Sequence, residues 1–349
     1  MNRSLIVFFF QGVKIALRQP HQALSFLRFI RWMRKASRLR AAWKKRGVRV
    51  PPIIIFSITN QCNLTCPGCY AKSLHPDPED ELAPARLKGI IEEAKTLGIS
   101  FFVLTGGEPF LRPEILDIAQ EVPAILFIVF TNGLLIDEAM IARFKKLKNI
   151  VPLVSLEGNP QDTDGRRGEG THAHVLRIMD RMCQRSLFFG TSLTLTRSNF
   201  STMTDERYVE NLVDKGCRFL LYVDYTPTQE GTEEWTLTET QRNEVPRLMA
   251  SFRSRFPALF IAVPWDEQQA GGCLSSGRGF VHINAQGDLE PCPFAPYSDV
   301  NLKNVPLKEA LQSEFLKTLR SKPELSTYTG NGCALWKNRD QVQSFLLDR

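Results

Sequence analysis

Three cysteines lie within eight positions of one another in the segment NQCNLTCPGCYA, residues 60–71. Cys62, Cys66 and Cys69 are separated by three and two residues, so one short loop presents three thiolates together. A structural zinc site normally takes four ligands. Three thiolates can instead hold three irons of a 4Fe–4S cube and leave the fourth iron open to a small ligand. The spacing is compatible with such a cluster, and zinc or a structural thiol cluster is the alternative.

The elements that position this loop alternate between strands and helices. The predicted strands cover residues 53–59, 101–105, 125–130, 151–156, 187–196 and 218–225. The predicted helices cover residues 84–97, 113–122, 137–147, 172–185 and 204–215. Strong β patterns separated by helices of this length predict parallel βαβ units. Six such units predict an α/β fold in which the sheet is either a partial barrel or a doubly wound open sheet.

Polar and glycine-rich motifs follow four of these strands. The cysteine segment follows the first strand, TGGEP (105–109) the second, TNG (131–133) the third and SLEG (155–158) the fourth. Ligands of parallel α/β sheets bind at the carboxyl ends of the strands. The four motifs are therefore expected to share one rim and to form one site.

The segment CNLTCPGCY after a strand, followed by TGGEP, resembles the radical S-adenosylmethionine (radical SAM) enzymes. The resemblance covers residues 51–230 by motif order. It implies a partial barrel, a 4Fe–4S cluster on Cys62, Cys66 and Cys69, S-adenosylmethionine on the open iron, and a reductant such as flavodoxin or ferredoxin. It further implies that S-adenosylmethionine is contacted by Gly106, Gly107, Glu108, Pro109, Asn132, Ser155 and Glu157. Arg197, beyond the fifth strand, is a candidate carboxylate partner on chemical grounds.

The loop departs from the family pattern at one position. Many members have an aromatic residue just before the third cysteine, where it packs near the adenine. This chain has Gly68 there. The resemblance therefore implies that apolar cover for the adenine comes from another part of the chain.

A second set of cysteines lies beyond residue 256, where the alternation ends. GFVHINAQGDLEPCPF (279–294) predicts a hairpin that turns at 286–288. Cys273, Cys292 and Cys333 around it resemble the SPASM/twitch extensions, which carry an auxiliary iron–sulfur cluster in many radical SAM enzymes. Trp336 stands where a twitch often has its last cysteine, so the fourth ligand is missing, is a non-cysteine group or comes from the substrate. Three unrelated buried thiols are the alternative.

Several other reactive residue types receive structural interpretations. Cys183 and Cys217 fit core packing within a helix and at a strand start. The Arg166–Arg167 pair is expected in a solvated loop, with contact to an anionic substrate as the alternative.

The N-terminal region differs in charge from the rest of the chain. Residues 1–50 contain 13 Lys and Arg and no Asp or Glu, which leaves 31 basic and 37 acidic residues elsewhere. In residues 25–45, Phe26, Phe29, Ile30, Met33 and Ala36 share one side of a helix and basic residues the other. This pattern is typical of a helix lying in an anionic membrane interface. Packing on the enzyme body and nucleic-acid binding are the alternatives, and the interleaved apolar residues argue against nucleic acid.

The predicted architecture is an α/β partial (βα)6 TIM-like barrel with two extensions. Residues 1–50 form a basic amphipathic helical extension, 51–256 the barrel, and 257–349 a hairpin-plus-helix auxiliary region. The predicted activity is reductive cleavage of S-adenosylmethionine and hydrogen abstraction from a membrane-associated or lipid substrate, in the cytoplasm at the inner face of the membrane. Peptide or protein maturation is the alternative substrate class, and a non-enzymatic iron–sulfur redox carrier is a distant one.

Overall fold

The computed structural model describes residues 20–269, 271–327 and 333–347, with the backbone alone for residues 20–28. Its centre is a sheet with the strand order β7-β6-β5-β4-β3-β2-β1-β8-β9. The strands are β1 Ile53–Thr59, β2 Phe101–Gly106, β3 Leu126–Thr131, β4 Ile150–Leu156, β5 Gly190–Leu195, β6 Phe219–Asp224, β7 Leu259–Val263, β8 Phe280–Ile283 and β9 Leu289–Glu290.

Strands β1 to β7 are all parallel to their neighbours, and β8 adds to the free edge of β1, also in parallel. Among the strands that the structure describes, β8 and β9 are the pair in antiparallel orientation. The helices are α1 Pro20–Lys45, α2 Tyr70–Leu74, α3 Pro84–Leu97, α4 Glu114–Glu121, α5 Glu138–Leu147, α6 Pro160–Arg167, α7 Thr171–Gln184, α8 Phe200–Met203, α9 Glu206–Asp214, α10 Glu239–Arg255, α11 Trp265–Gln269, α12 Leu307–Ala310, α13 Glu314–Ser321, α14 Ala334–Lys337 and α15 Arg339–Leu347. The mostly parallel sheet, open at β7 and β9, confirms the predicted partial barrel.

The strands carry apolar residues on both faces, and each face is at least partly covered. Phe56, Phe102 and Phe127 belong to the large core between sheet and helices, and the rings of Phe102 and Phe127 stack with centroids 5.7 Å apart. The alternate residues of the strands, including Leu153 and Phe219, point to the other face and form a separate cluster there. The continuous apolar runs of the sequence therefore reflect two-sided burial.

The sheet continues past residue 256, where the sequence predicts the barrel to end. Helix α10 leads into β7, which pairs in parallel with β6 and adds a seventh unit. The predicted hairpin is present as β8 and β9, with Gly287 in the left-handed region at φ 96°. Because β8 also pairs with β1, the hairpin is part of the same sheet as the three-cysteine loop.

Helix α1 packs against the barrel through its apolar side. The rings of Phe29 and Phe101 meet edge to face with centroids 5.3 Å apart, and Ala36 is fully buried. Arg40 donates a hydrogen bond to the carbonyl of Gly98. These contacts fit the alternative in which the helix packs on the enzyme body.

Phe26, the first residue of the predicted apolar side, has its side chain outside the described residues. Within the part of the chain that the structure describes, no helix combines the length and apolar character needed to cross a bilayer.

Candidate active site

The three-cysteine loop runs from the carboxyl end of β1 into α2, whose N-cap is Cys69. Burial raises the pKa of the Cys62 thiol, and the nearby thiols of Cys66 and Cys69 raise it further. Burial also raises the pKa of Cys66, and the charge of Arg167 opposes that rise. The structure thus brings the three predicted ligands together.

The donor set fits a cluster better than a single ion. A single zinc ion holds every thiolate within about 2.3 Å of itself. Among the described residues, the groups whose ligand atoms lie within 4.8 Å of one another do not include this trio. A cube of four irons spreads its thiolates further apart. The Leu64 N–H, 3.4 Å from the Cys62 sulfur, donates to it, and such bonds stabilise a cluster's sulfur ligands.

The two glycines of TGGEP press against the backbone that enters the cysteine loop. The Gly107 N–H donates to the Thr59 carbonyl at 2.7 Å, and the Glu108 N–H donates to the Gln61 carbonyl at 2.8 Å. A β-carbon at Gly107 would overlap the Gln61 carbonyl and lie 2.9 Å from the Asn60 carbonyl carbon. Gly106 has a φ of 117° and is equally close to Thr59. Both glycines are therefore required by the chain's own packing.

Glu108 links the ends of β2 and β3. Its buried carboxylate accepts hydrogen bonds from the Thr131 hydroxyl at 2.9 Å and the Asn132 N–H at 2.8 Å. It also caps the short 3-10 helix that begins at Pro109 by accepting from the Phe110 N–H. Burial raises the pKa of this carboxyl, and these donors oppose the rise.

Asn132 reaches from this link to the cysteine loop. Its side-chain amide donates to the Asn63 side chain at 2.7 Å and lies 4.0 Å from the Cys62 sulfur. The TGGEP and TNG motifs thus meet at the first cysteine, as the shared rim predicts.

Ser155 and Glu157 follow at the end of β4, both buried. Glu157 forms ion pairs with Arg166 at 2.8 Å and with Arg167 at 2.6 Å. Arg166 also donates to the Pro67 carbonyl at 3.2 Å, within the cysteine loop. The two arginine side chains are only 15% and 14% exposed, so the expectation of a solvated loop is wrong for this pair. Their placement brings positive charge to Cys66, which favours its thiolate.

Aromatic residues from beyond β6 occupy the space beside Gly68. A β-carbon at Gly68 would lie 2.5 Å from the Tyr225 hydroxyl and 2.8 Å from the Trp235 ring. The Gly68 N–H donates to the Gln229 side chain at 2.8 Å. Tyr225 and Trp235 of this neighbouring segment therefore occupy the space into which a side chain at position 68 would point.

The second cysteine set is also brought together. Cys292 and Cys333 are hydrogen bonded through their thiols, which raises the pKa of Cys292 and lowers that of Cys333. Burial raises the pKa of Cys273 to about 12, and the charges of Glu267 and Cys333 act in the same direction. Glu267 is thus a carboxylate near two of the three thiols, and burial raises its own pKa to about 7.

Arg197 lies on the rim beyond β5, where its guanidinium donates to the Thr236 carbonyl at 3.2 Å. It lines a cavity of about 620 Å³. Tyr225 and Cys333 line the same cavity, so it lies between the two cysteine sets. Lys337 and Arg339 add further basic side chains, and Glu239 contributes one acidic side chain.

The sequence does not predict that Tyr225 and Gln229 contact the cysteine loop, or that the arginine pair is largely buried. Tyr225 stands at the end of a predicted strand, and that position alone could have placed it on the rim. Gln229 has no comparable signal because it lies in an irregular segment after β6.

The chain is similar to known proteins in sequence and in fold. The family model of the radical SAM superfamily matches residues 56–196. The AdoMet-dependent heme synthase of Methanosarcina barkeri is 25% identical over 80% of this chain and 88% of its own length. The mycofactocin maturase MftC of Mycobacterium tuberculosis is 25% identical over 75% of this chain and 69% of its own. Streptococcus suis SuiB bound to S-adenosylmethionine has a similar fold, with a TM-score of 0.68 at 16% identity over 80% of this chain and 70% of that one.

The matched region spans β1 to β5 and contains the three-cysteine loop and the TGGEP, TNG and SLEG motifs. Enzymes of this family use a 4Fe–4S cluster and S-adenosylmethionine, and the fold of this chain is theirs. The chain is therefore a radical SAM enzyme.

Proposed function

We propose that this enzyme abstracts hydrogen from an unreactive C–H bond of an anionic substrate bound between its two cysteine sets. When bound, the cluster and S-adenosylmethionine supply a 5′-deoxyadenosyl radical by reductive cleavage, with electrons from a reductant such as flavodoxin or ferredoxin. Cys62, Cys66 and Cys69 would hold that cluster, and Cys273, Cys292 and Cys333 an auxiliary one. The chain's own task is to orient the substrate and keep the reaction away from water.

The cavity lined by Tyr225, a neighbour of the first cysteine loop, and by Cys333 of the second set carries this proposal. Tyr225 packs beside Gly68 of the first loop, while Cys333 belongs to the second set, and both line the cavity. Arg197, Lys337 and Arg339 give its wall a positive charge, with Glu239 opposing it in part. Guanidinium groups bind carboxylates through paired hydrogen bonds. A carboxylate-bearing substrate is the chemistry that this wall favours.

The remaining rim residues are proposed to hold S-adenosylmethionine. These are Gly106, Gly107, Glu108, Pro109, Asn132, Ser155 and Glu157. Ser155 can offer its hydroxyl at the end of β4. Glu108 and Glu157 already accept hydrogen bonds from the protein, so their main contribution would be to fix the rim loops. Ser155→Ala should therefore weaken S-adenosylmethionine binding while iron content stays unchanged.

We favour a peptide or protein substrate over a lipid. The lipid hypothesis depends on the N-terminal helix, whose apolar side from Phe29 to Ala36 is engaged by the barrel. Its basic side, with Arg31 and Arg34 exposed, still offers a surface for an anionic membrane. SuiB has a structure bound to its precursor peptide SuiA, with a TM-score of 0.66, and MftC is a maturase. Those similarities support the peptide class.

The radical chemistry is tested on anaerobically reconstituted protein with dithionite and S-adenosylmethionine. The parent should form 5′-deoxyadenosine, and Cys66→Ala should not. Iron content should be about eight per chain for two 4Fe–4S clusters and about four in Cys292→Ala. A parent with only four irons would remove the auxiliary cluster and leave the radical chemistry intact.

Substrate class is tested by peptide and lipid profiling of a deletion strain. Accumulation of an unmodified peptide supports maturation, whereas accumulation of a lipid precursor alone refutes it. With the substrate in hand, Arg339→Gln should raise KM and leave substrate-free cleavage of S-adenosylmethionine unchanged. Arg181→Gln, an exposed arginine on α7, is the matched control. Equal KM values for the two variants would contradict the assignment of the cavity.

A further inference from the structure

A buried group of two histidines and one glutamate lies apart from both cysteine sets. His75 ends α2, His282 lies on β8 and Glu290 on β9. Their side chains are 6%, 0% and 2% exposed. One ligand atom from each lies within 4.8 Å of the other two. Among the described residues, these three form a group of potential metal ligands whose atoms are close enough together to bind one ion.

His282 and Glu290 each have a partner on the side that faces away from the common centre. The Nε2 of His282 is 2.8 Å from the Ser57 hydroxyl, and the Oε1 of Glu290 accepts from the Asn284 amide at 2.9 Å. The backbone of Pro293 lies close to the His75 ring and acts to raise its pKa, against the effect of burial. Metal-binding histidines are usually oriented in this way, with the nitrogen that is not bound to the metal engaged by a hydrogen bond.

Two of the three inward-facing atoms share a hydrogen bond, and the third has no partner. The His282 Nδ1 lies 2.6 Å from the Glu290 Oε2, a distance that one shared proton explains. The His75 Nε2 lies 3.7 Å from the same oxygen and has no hydrogen-bond partner. The unpartnered His75 nitrogen faces a carboxylate oxygen, an arrangement that a cation between them would satisfy. A divalent cation that displaces the shared proton to solvent would accept lone pairs from all three atoms.

We propose that His75, His282 and Glu290 bind one divalent transition-metal ion, with zinc as the expected occupant. Two imidazoles and one carboxylate are a known ligand set for zinc and for non-haem iron(II). The proposal is independent of the radical chemistry, because none of the three residues belongs to a cysteine set.

The position gives the ion a structural task. His75 follows Cys69 by six residues, and Glu290 precedes Cys292 by two. One ion would therefore tie the helix that leaves the first cysteine loop to the hairpin that leads into the second. Its binding would fix the two loops relative to each other.

The experiment uses the full chain, reconstituted with iron and sulfide, then incubated with zinc and desalted. Metal analysis should give about one zinc per chain in addition to the cluster iron. X-ray absorption at the zinc edge should show only nitrogen or oxygen ligands, at about 2.0–2.1 Å. Zinc with sulfur ligands at about 2.3 Å would mean cysteine binding and would overturn the proposal. The absence of both zinc and non-cluster iron from the protein would also overturn the proposal.

Two isosteric variants isolate the ligands. Glu290→Gln keeps the size of the side chain and can still contact Asn284, and His282→Gln removes one imidazole. Both should lose at least tenfold in zinc affinity, and zinc should no longer raise their melting temperature. His172→Gln, on the partly exposed start of α7, is the matched control and should behave as the parent. Equal stabilisation of parent and Glu290→Gln by zinc would refute the assignment. The zinc-edge spectrum of the parent decides the question if a variant does not fold.

Discussion

Substitution of Gly107 by alanine should separate the cysteine loop from the end of β2. The added carbon would overlap the Gln61 carbonyl, and only a backbone shift on the order of 1 Å relieves that overlap. Overpacking of this kind costs about 1–3 kcal/mol. The shift would also break the hydrogen bonds that the Gly107 and Glu108 N–H groups donate, at about 1 kcal/mol each. We expect the variant to lose about 3–5 kcal/mol of unfolding free energy.

The assay combines denaturant unfolding of the cluster-free protein with iron analysis after reconstitution. Gly165→Ala is the matched control, because Gly165 lies within helix α6 and a β-carbon there meets nothing within 4 Å. It should be neutral or stabilising by about 0.5–1 kcal/mol. Gly107→Ala should unfold earlier and bind less iron. Normal iron and stability, with loss of S-adenosylmethionine binding alone, would refute the reasoning and would mean that this glycine approaches the cofactor instead.

Three further predictions concern the surroundings of the site. Arg167→Met removes one partner of the buried Glu157 and leaves the other, Arg166, in place. The unfolding free energy should therefore fall by about 2 kcal/mol, less than is usual when a buried ion pair is broken completely. An unchanged denaturation midpoint would contradict this prediction. Phe29→Ala should lower the unfolding free energy by about 1–2 kcal/mol through the lost contact with Phe101, whereas the exposed Arg31→Ala should stay within about 0.5 kcal/mol of the parent. Iodoacetamide should label the exposed Cys183 in the folded protein and Cys217 only after unfolding, because burial raises the pKa of Cys217 to about 12. Peptide mass spectrometry measures the labelling of each cysteine, and equal labelling rates would count against the prediction.

The sequence predicts the rim because its signals are local. Predicted strand 53–59 coincides with β1, and predicted helix 84–97 coincides with α3. Each motif follows directly from the strand that carries it, so parallel pairing alone brings Cys62, Gly107 and Asn132 together. The three-cysteine spacing adds chemistry that few other patterns share. The fold and the meeting of these motifs on one rim are therefore predictable from short-range patterns.

The remainder of the site depends on contacts between distant residues. The sequence around Arg166 predicts a solvated loop residue, because its partners Glu157 and the Pro67 carbonyl come from other parts of the chain. Strand β7 was missed because its pattern follows a long helix that contains Pro246, where the sequence suggests that the alternation has ended. The triad of His75, His282 and Glu290 spans more than 200 residues and has no spacing that a sequence motif could show.

Gly68 shows how one such distant contact explains a local departure. A larger residue at this position would collide with Tyr225 and Trp235, and a φ of 65° further favours glycine. An aromatic side chain at position 68 and this aromatic pair would therefore compete for the same volume. The rings of Tyr225 and Trp235 lie 5.5 Å apart, and Arg166 lies over Tyr225 while it also holds the Pro67 carbonyl. Because Tyr225 also lines the cavity with Cys333, this aromatic pair connects the first cysteine loop to the proposed substrate site.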